Sequence, residues 1–245
     1  MTRVQWDGFV KARDRYRREV GKLERRVPEL QSLQQRLIDN RSPSYRVDTP
    51  VVYNHALDDI HADSEIRLIM VADNPGRREQ AAENKRYLVG PSGKIAEKFF
   101  RDNPALNIDF RKNVIILNKT PIHTPRTADL RELCRLGDAA LTTALNQSQR
   151  FMAELLLKFH RIFTVPVWII GYSEMKKGGI FEAYTDELKT LYDDTNLREA
   201  VFMYRHFSMN QFTIDLKKQA AAKETPAQTL ERIGAVYRRK FLWQA

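Results

Sequence analysis

Cysteine is almost absent from this chain of 245 residues, in which Cys134 is the single thiol. One thiol excludes an intramolecular disulfide, a Cys-rich zinc site and a cysteine-ligated iron–sulfur cluster. The five histidines show no metal-ligand spacing either, so the sequence predicts no metal site. A lone thiol fits a reducing compartment, and we therefore expect a cytoplasmic protein.

Long hydrophobic runs are also missing. The apolar run at 165–170 is far short of the ~20 residues that a membrane span requires, and the first residues lack the apolar core of a secretion signal. With 10 glycines, 10 prolines and 29% charged residues, the composition is neither low-complexity nor typical of disorder. We expect no membrane partner, and one large domain or one domain with an appendage.

Acidic residues are in the minority. The chain has 31 Asp and Glu against 41 Lys and Arg, which gives a formal net charge of +10. Excess positive charge raises the local concentration of polyanions around a protein. Nucleic acid is therefore the leading class of partner.

Residues 1–48 are predicted to form a helical N-terminal extension. Apolar residues recur three, four or seven positions apart, as on one face of a helix: Tyr16, Val20, Leu23, Val27, Leu30 and Leu37. Pro28 is suited to the first position of a second helix. The other face is rich in Arg and Lys. It is either a solvated face of helices packed on the main domain or a basic arm that contacts phosphates.

Residues 49–245 are predicted to form the main domain. Four apolar runs resemble strands that are covered on both faces: 66–72, 114–117, 165–170 and 200–204. Helical patterns lie between and after them, at 91–103, 138–160, 179–192 and 226–241. This alternation predicts a three-layer α/β/α fold with a central, mainly parallel four-stranded sheet.

Polar residues follow the predicted strands at the point where each strand ends. Asp73 and Asn74 follow the first strand, Asn118 the second, and His206 and Ser208 the fourth. In open α/β sheets, ligands bind outside the carboxyl ends of the strands. The sequence therefore predicts a site for a small polar ligand at this edge.

These strand-end motifs resemble those of the uracil-DNA glycosylase superfamily. Residues 71–79 (VADNPGRRE), followed by 87–96 (YLVGPSGKIA), are similar to the first motif of that family. The run 114–118 (VIILN) resembles the strand whose final Asn reads the base, and 206–208 (HFS) resembles the His-Pro-Ser motif that closes the site. The motifs occur in the family's order over roughly residues 66–215.

The chain also departs from the family pattern. Ala72 replaces the usual glycine before the turn, and Phe207 replaces the proline of the His-Pro-Ser motif. Leu88 aligns with the aromatic residue that stacks on the flipped base, although the adjacent Tyr87 could substitute for it. Because the iron–sulfur-carrying branches need four cysteines, the resemblance is to members without a cluster.

The resemblance implies three catalytic residues. Asn74 aligns with the residue that positions the attacking water. Asp73 stands where the iron–sulfur branch has a catalytic glutamate, and the sequence leaves open which of the two positions the water. His206 would donate to the base oxygen as negative charge builds, and a neutral imidazole suffices for this.

The resemblance also implies contacts to the base and to the DNA. Asn118 offers one acceptor and two donors, which suits the edge of uracil, and Leu88 or Tyr87 would contact the base. Hydroxyls, a helix N-terminus and an arginine would hold phosphates; these residues are Ser92, Gly93, Ser208 and Arg77. The loop at Met209 and Asn210 would enter the duplex where the base left.

The sequence as a whole thus favours a monofunctional DNA glycosylase. It would flip uracil or a related deaminated base out of DNA, hydrolyse the N-glycosidic bond and leave an abasic site. A monomer that needs no cofactor and is associated with the nucleoid is expected. Two alternatives remain: a non-catalytic nucleic-acid-binding member of the same fold, and a hydrolase of free nucleosides or nucleotides.

Overall fold

A computed structural model describes residues 1–193 and 196–243. Its helices are α1 (Arg3–Arg26), α2 (Leu30–Asp39), α3 (Arg77–Gln80), α4 (Pro91–Asp102), α5 (Asp129–Leu136), α6 (Ala139–Phe163), α7 (Glu182–Tyr192), α8 (Gln211–Gln219) and α9 (Pro226–Phe241). Its strands are β1 (Leu68–Ala72), β2 (Val114–Asn118), β3 (Val167–Ile170) and β4 (Val201–Tyr204). None of the helices within these ranges is long and apolar enough to cross a bilayer.

The four strands form one parallel sheet in the order β2-β1-β3-β4. Every residue of β1, β2 and β3 is buried, which explains why these strands read as continuous apolar runs rather than alternating ones. In the register, Ala72 lies opposite Asn118 and Ile170 lies opposite Tyr204. The carboxyl ends of all four strands therefore meet at one edge.

Helices cover both faces of the sheet. Alternate strand residues such as Ile69 and Val71 face the core beneath α1, α6 and α7. The others, including Met70 and Trp168, face a second core beneath α4, α8 and α9. There the Trp168 ring stacks on Phe100, with ring centroids 5.4 Å apart. The predicted three-layer α/β/α fold with a parallel four-stranded sheet is confirmed.

Several predicted boundaries differ from the structure. β1 and β3 begin two residues later than predicted, and α2 begins at Leu30 rather than Pro28. The short helices α5 and α8 were not predicted. In α8 only Phe212 is buried, so this helix lacks the apolar stripe on which such a prediction depends.

The N-terminal extension is helical, as predicted, and its apolar face belongs to the first core. Phe9 is fully buried, with its ring centroid 5.5 Å from that of Phe159 on α6. On the polar face, Arg15 donates to Glu154 over 2.8 Å, and Arg17 pairs with Asp58. These contacts favour the interpretation of a helix packed on the main domain. The domain boundary at residue 48 stays a prediction.

Removing the Phe9 ring tests whether α1 is integral to the fold. We expect Phe9→Ala to lower the free energy of unfolding by about 3–5 kcal/mol, because it leaves a cavity between α1 and α6. Val4→Ala is the matched control in the same helix. Val4 is 82% exposed, so its change should stay within about 0.5 kcal/mol. Urea unfolding measures both, and an unchanged midpoint for Phe9→Ala would show that α1 does not contribute to the core.

Candidate active site

A cleft of about 780 Å³ lies at the carboxyl edge of the sheet. The loops that follow all four strands contribute to its walls, together with the start of α4. The cleft brings together eight residues predicted from the sequence: Asp73, Asn74, Arg77, Leu88, Ser92, Asn118, His206 and Ser208.

Tyr87 does not line this cleft. It is 1% exposed, and its hydroxyl donates to the Val52 carbonyl over 2.6 Å and lies 2.5 Å from the Tyr16 hydroxyl. The prediction that Tyr87 could stack on a base in place of Leu88 is therefore wrong. Leu88 lies in the cleft wall, with φ at +52°.

Gly93 lies behind the wall, in the first turn of α4. A Cβ on this residue would stand 1.5 Å from the Leu88 carbonyl oxygen, so no side chain fits. Gly93 therefore serves to bring the N-terminus of α4 against the Leu88 loop.

Met209 and Asn210 also lie outside the cleft lining. Both adopt positive φ, and Met209 is 81% exposed beside His206 and Ser208.

Asp73 is held in one orientation by two donors. Its Oδ1 accepts from Lys119 Nζ over 2.6 Å, and its Oδ2 accepts from the Thr127 hydroxyl over 3.1 Å. Gly171, at φ +79°, makes room for it, because a Cβ there would stand 2.9 Å from Asp73 Oδ1. This carboxylate thus faces the cleft from a fixed position.

Lys119 was not among the predicted site residues. It is fully buried, and its Nζ also donates to the Ile170 carbonyl over 2.9 Å. Burial lowers the pKa of Lys119, and the Asp73 carboxylate opposes that shift. The sequence contained one signal that could have identified Lys119. A lysine one residue beyond a continuous apolar run (114–117) is placed where a charge is costly, and such a residue requires a partner.

Asn74 is anchored through its amide nitrogen. Its Nδ2 donates to the Thr124 hydroxyl over 2.9 Å and lies 3.3 Å from the Thr124 carbonyl. Within the described ranges no protein donor bonds to its Oδ1. This oxygen is therefore available to accept a hydrogen bond from a ligand or a water.

Asn118 lies at the cleft floor with an unsatisfied donor. Its side chain is 1% exposed, and its Nδ2 has no hydrogen-bond partner in the described part of the chain. A buried donor without an acceptor costs about 1–3 kcal/mol. A ligand that places a carbonyl oxygen here would remove that cost.

His206 presents a defined tautomer. The Ser208 backbone N–H donates to His206 Nδ1 over 3.0 Å, so the proton of the neutral ring is on Nε2. Burial lowers the pKa of His206; Asp73 opposes this shift and Lys119 adds to it. The neutral imidazole can therefore donate through Nε2.

Phe207 keeps the backbone that a proline would impose. Its φ is −68°, close to the angle of about −65° that a proline ring fixes. The side chain is fully buried and stacks on Phe212 at 4.3 Å. Packing in the second core thus replaces the covalent restraint at this position.

Arginines dominate the rim. Arg77, Arg78, Arg126 and Arg205 all line the cleft. The Arg77 guanidinium lies 4.9 Å from the ring centroid of Tyr45. Gly90, the N-cap of α4, and the two residues after it also line the cleft, and no side-chain capping bond is made at this helix N-terminus. The rim is thus suited to bind phosphates.

Two further cleft residues were not predicted as site residues. Glu79 is buried, accepts from the Gly76 N–H over 2.8 Å, and has a pKa raised to about 7 by burial. It ties the turn at Gly76 to the Leu88 loop. Tyr172 supplies an aromatic wall from the end of β3, and its ring stacks on Phe241 at 4.3 Å.

His123 supports the Asp73–Gly76 turn from behind. It is fully buried; its Nδ1 donates to the Pro75 carbonyl over 2.8 Å, and its Nε2 accepts from the Tyr45 hydroxyl over 3.0 Å. Burial lowers the pKa of His123 to about 4. The Nδ1 proton can bond to Pro75 in either charge state of the ring, whereas protonation would remove the Nε2 lone pair that accepts from Tyr45.

Comparison of the chain with protein-family models, with curated proteins and with solved structures found no match. Within residues 1–193 and 196–243, no group of three or more His, Cys, Asp or Glu side chains could hold a metal ion.

The lowered pKa of His123 predicts that the free energy of unfolding depends on pH. The ring is neutral in the folded state, whereas the unfolded chain takes up a proton below about pH 6.5. Stability should therefore fall as the pH drops from 6.5 towards 4, by up to ~3 kcal/mol from this residue. His160, whose pKa burial also lowers to about 4, should contribute in the same window.

Urea unfolding between pH 7 and pH 4.5 measures this effect. His123→Gln should flatten the pH dependence while lowering stability at pH 7, because the bond to Pro75 is weakened. His61→Gln is the control, since His61 is exposed. Equal pH slopes for the wild type and His123→Gln would contradict the assignment.

Proposed function

We propose that this protein is a monofunctional DNA glycosylase that removes uracil or a related deaminated base from DNA. The unsatisfied Nδ2 donor of buried Asn118, in the same cleft as the Nε2 donor of His206, carries the proposal. Uracil presents two carbonyl oxygens and an N–H on its edge, which matches one amide and one imidazole donor. An exocyclic amine, as in cytosine, reverses the match to Asn118.

The cleft offers groups for both charges that develop when the N-glycosidic bond breaks. The leaving base gains negative charge, and His206 donates to its oxygen. The sugar gains positive charge, which the ionised carboxylate of Asp73 favours. Neither group has to change its protonation state for this step.

Asn74 is assigned to position the attacking water. Its Oδ1 is open to a donor, whereas each Asp73 oxygen already accepts from Lys119 or Thr127. The water oxygen bonds to the sugar C1′ as the bond from C1′ to the base nitrogen breaks. The water gives up one proton to solvent, and the base leaves with the electron pair of the broken bond.

The rim supports a polymeric substrate rather than a free nucleoside. Four arginines and the start of α4 surround the cleft, which fits a strand of phosphates better than a single uncharged nucleoside. Ser92, Ser208 and Arg77 are assigned to phosphates. Met209 projects beside the cleft and is assigned, with Asn210, to the gap that the flipped base leaves in the duplex.

One observation favours a second candidate, a protein that flips and holds a base without cutting it. The cleft wall carries Leu88 where the glycosylase family has an aromatic residue, and Tyr87 is buried elsewhere. A base held against leucine loses the stacking that an aromatic ring provides. The two candidates differ in whether an abasic site forms.

An oligonucleotide with a single uracil tests the proposal. The end-labelled strand is incubated alone or opposite G or A and then treated with alkali. Cleavage only at uracil is expected. Asn74→Ala and His206→Ala should each lower turnover by ~100-fold or more with DNA affinity little changed, because both act on the transition state. His61→Ala, on the exposed surface, is the matched control.

Several outcomes would overturn the proposal in different ways. Full activity in both cleft variants rejects the assigned roles. Base-selective binding without product from uracil, hypoxanthine, xanthine or hydroxymethyluracil identifies a binding protein. Release of uracil from free deoxyuridine but not from DNA identifies a nucleoside hydrolase.

Asn118→Ala tests whether the Asn118 amide distinguishes uracil from cytosine by hydrogen bonding. The variant should lose discrimination between oligonucleotides that carry uracil and those that carry cytosine at the same position, by about 1–3 kcal/mol in binding. Competition binding at fixed salt measures this. If discrimination survives, another group reads the base.

The arginine rim predicts strong salt dependence of DNA binding. The logarithm of the affinity should fall linearly with the logarithm of the salt concentration, because phosphate contacts release counterions. Arg126→Gln should reduce the slope by ~1 and weaken binding similarly for all sequences. Fluorescence anisotropy over a salt series measures the slope, and Lys112→Gln, on the exposed surface at the opposite end of β2, is the control. A salt-independent affinity would contradict phosphate binding.

A further inference from the structure

A lysine ammonium is enclosed directly behind the floor of the cleft. Lys119 is fully buried and is not part of the cleft lining. Its Nζ contacts Asp73 Oδ1 and the Ile170 carbonyl, and it lies 5.2 Å from the ring centroid of Phe181. It cannot reach a substrate. A buried ammonium is costly unless it is paired, and Asp73 is the carboxylate that pairs with it.

We propose that Lys119 is a positioning residue: its buried ammonium holds the Asp73 carboxylate in place and offsets its charge in the cleft that Asp73 shares with His206. This proposal rests on the proposed function only where it concerns turnover. The ion pair itself and its effect on His206 are properties of the folded chain.

Three observations carry the inference. The Lys119 backbone N–H also donates to Ala72 and Asp73 carbonyls, over 3.0 and 2.9 Å, so the main chains of both loops are joined. The absence of a Cβ on Gly171 leaves room for the carboxylate in its paired position. Finally, Asp73 and His206 line the same cleft, and Lys119 is the charge that offsets Asp73 there.

Charge balance explains why the pair controls His206. Alone, the Asp73 carboxylate would stabilise an imidazolium. In that charged ring, Nδ1 carries a proton and can no longer accept from the Ser208 backbone N–H. Lys119 opposes that attraction. The other titratable groups on the cleft walls are the four rim arginines (77, 78, 126 and 205), Glu79, Tyr172 and Glu174. Glu174 pairs with Arg131 over 2.6 Å.

NMR titration of the His206 ring tests the proposal without any assay of activity. In Lys119→Met, which removes the charge and keeps a similar volume, the His206 pKa should rise by ~1 unit. In Asp73→Asn it should fall, and in the double variant it should return close to the wild-type value. Lys112→Met, an exposed lysine at the other end of β2, should leave it unchanged.

The double variant also keeps the test decisive if Lys119→Met does not fold. If Lys119→Met alone fails to fold because it strands the Asp73 carboxylate, Asp73→Asn and the double variant still decide the question. A His206 pKa that is the same in the wild type, Asp73→Asn and the double variant overturns the proposal. So does a Lys119→Met protein that folds with His206 unchanged.

Turnover supplies a second readout. With the uracil oligonucleotide, the acid limb of the pH–rate profile should move up in Lys119→Met by the same amount as the His206 pKa, with KM little changed. A purely structural role would lower kcat equally at all pH values. If the wild type releases no base, the proposed function fails, but the NMR comparison still tests the role of Lys119.

Discussion

The parallel pairing of β1 with β2 and β3 is the constraint on which the rest of the structure depends. Both faces of these strands are covered, so their registers are set by apolar side chains throughout. The register places Ala72 opposite Asn118, and the residues that follow, Asp73 and Lys119, come within hydrogen-bond distance. A slip of one residue would exchange the two faces and separate this pair.

Electrostatics divide the cleft into a neutral floor and a positive rim. Behind the floor, the buried Lys119 ammonium is matched by Asp73, and at the floor burial lowers the pKa of His206. At the rim, arginines lie in solvent, where a charge costs little. A polyanion would therefore be attracted to the rim, while the floor selects a ligand by hydrogen bonds rather than by net charge.

Two positions at which the sequence differs from the motifs that it resembles are resolved differently by packing. Phe207 adopts a proline-like φ because its side chain is buried against Phe212. At Leu88 no aromatic ring is brought into the same place, because Tyr87 is held beneath the cleft by Val52 and Tyr16. Tyr172 is instead the aromatic residue on the wall, supported from behind by Phe241.

The sequence by itself determined the layers of the fold and the edge at which the cleft lies. Apolar runs and helical patterns depend on local periodicity, and the carboxyl ends of parallel strands necessarily meet. It therefore placed Asp73, Asn74, Asn118 and His206 at one edge. Short helices such as α8, with a single buried residue, left no pattern to recognise.

Only the tertiary structure decided which side chains face the cleft and which support it. Tyr87 and Leu88 are adjacent in sequence and both are buried, yet only Leu88 lines the wall. Lys119, which follows β2, pairs with Asp73, which follows β1, and His123 contacts Pro75 across 48 positions. These contacts join residues that are distant along the chain, and they arise from strand register and packing, which no local pattern records.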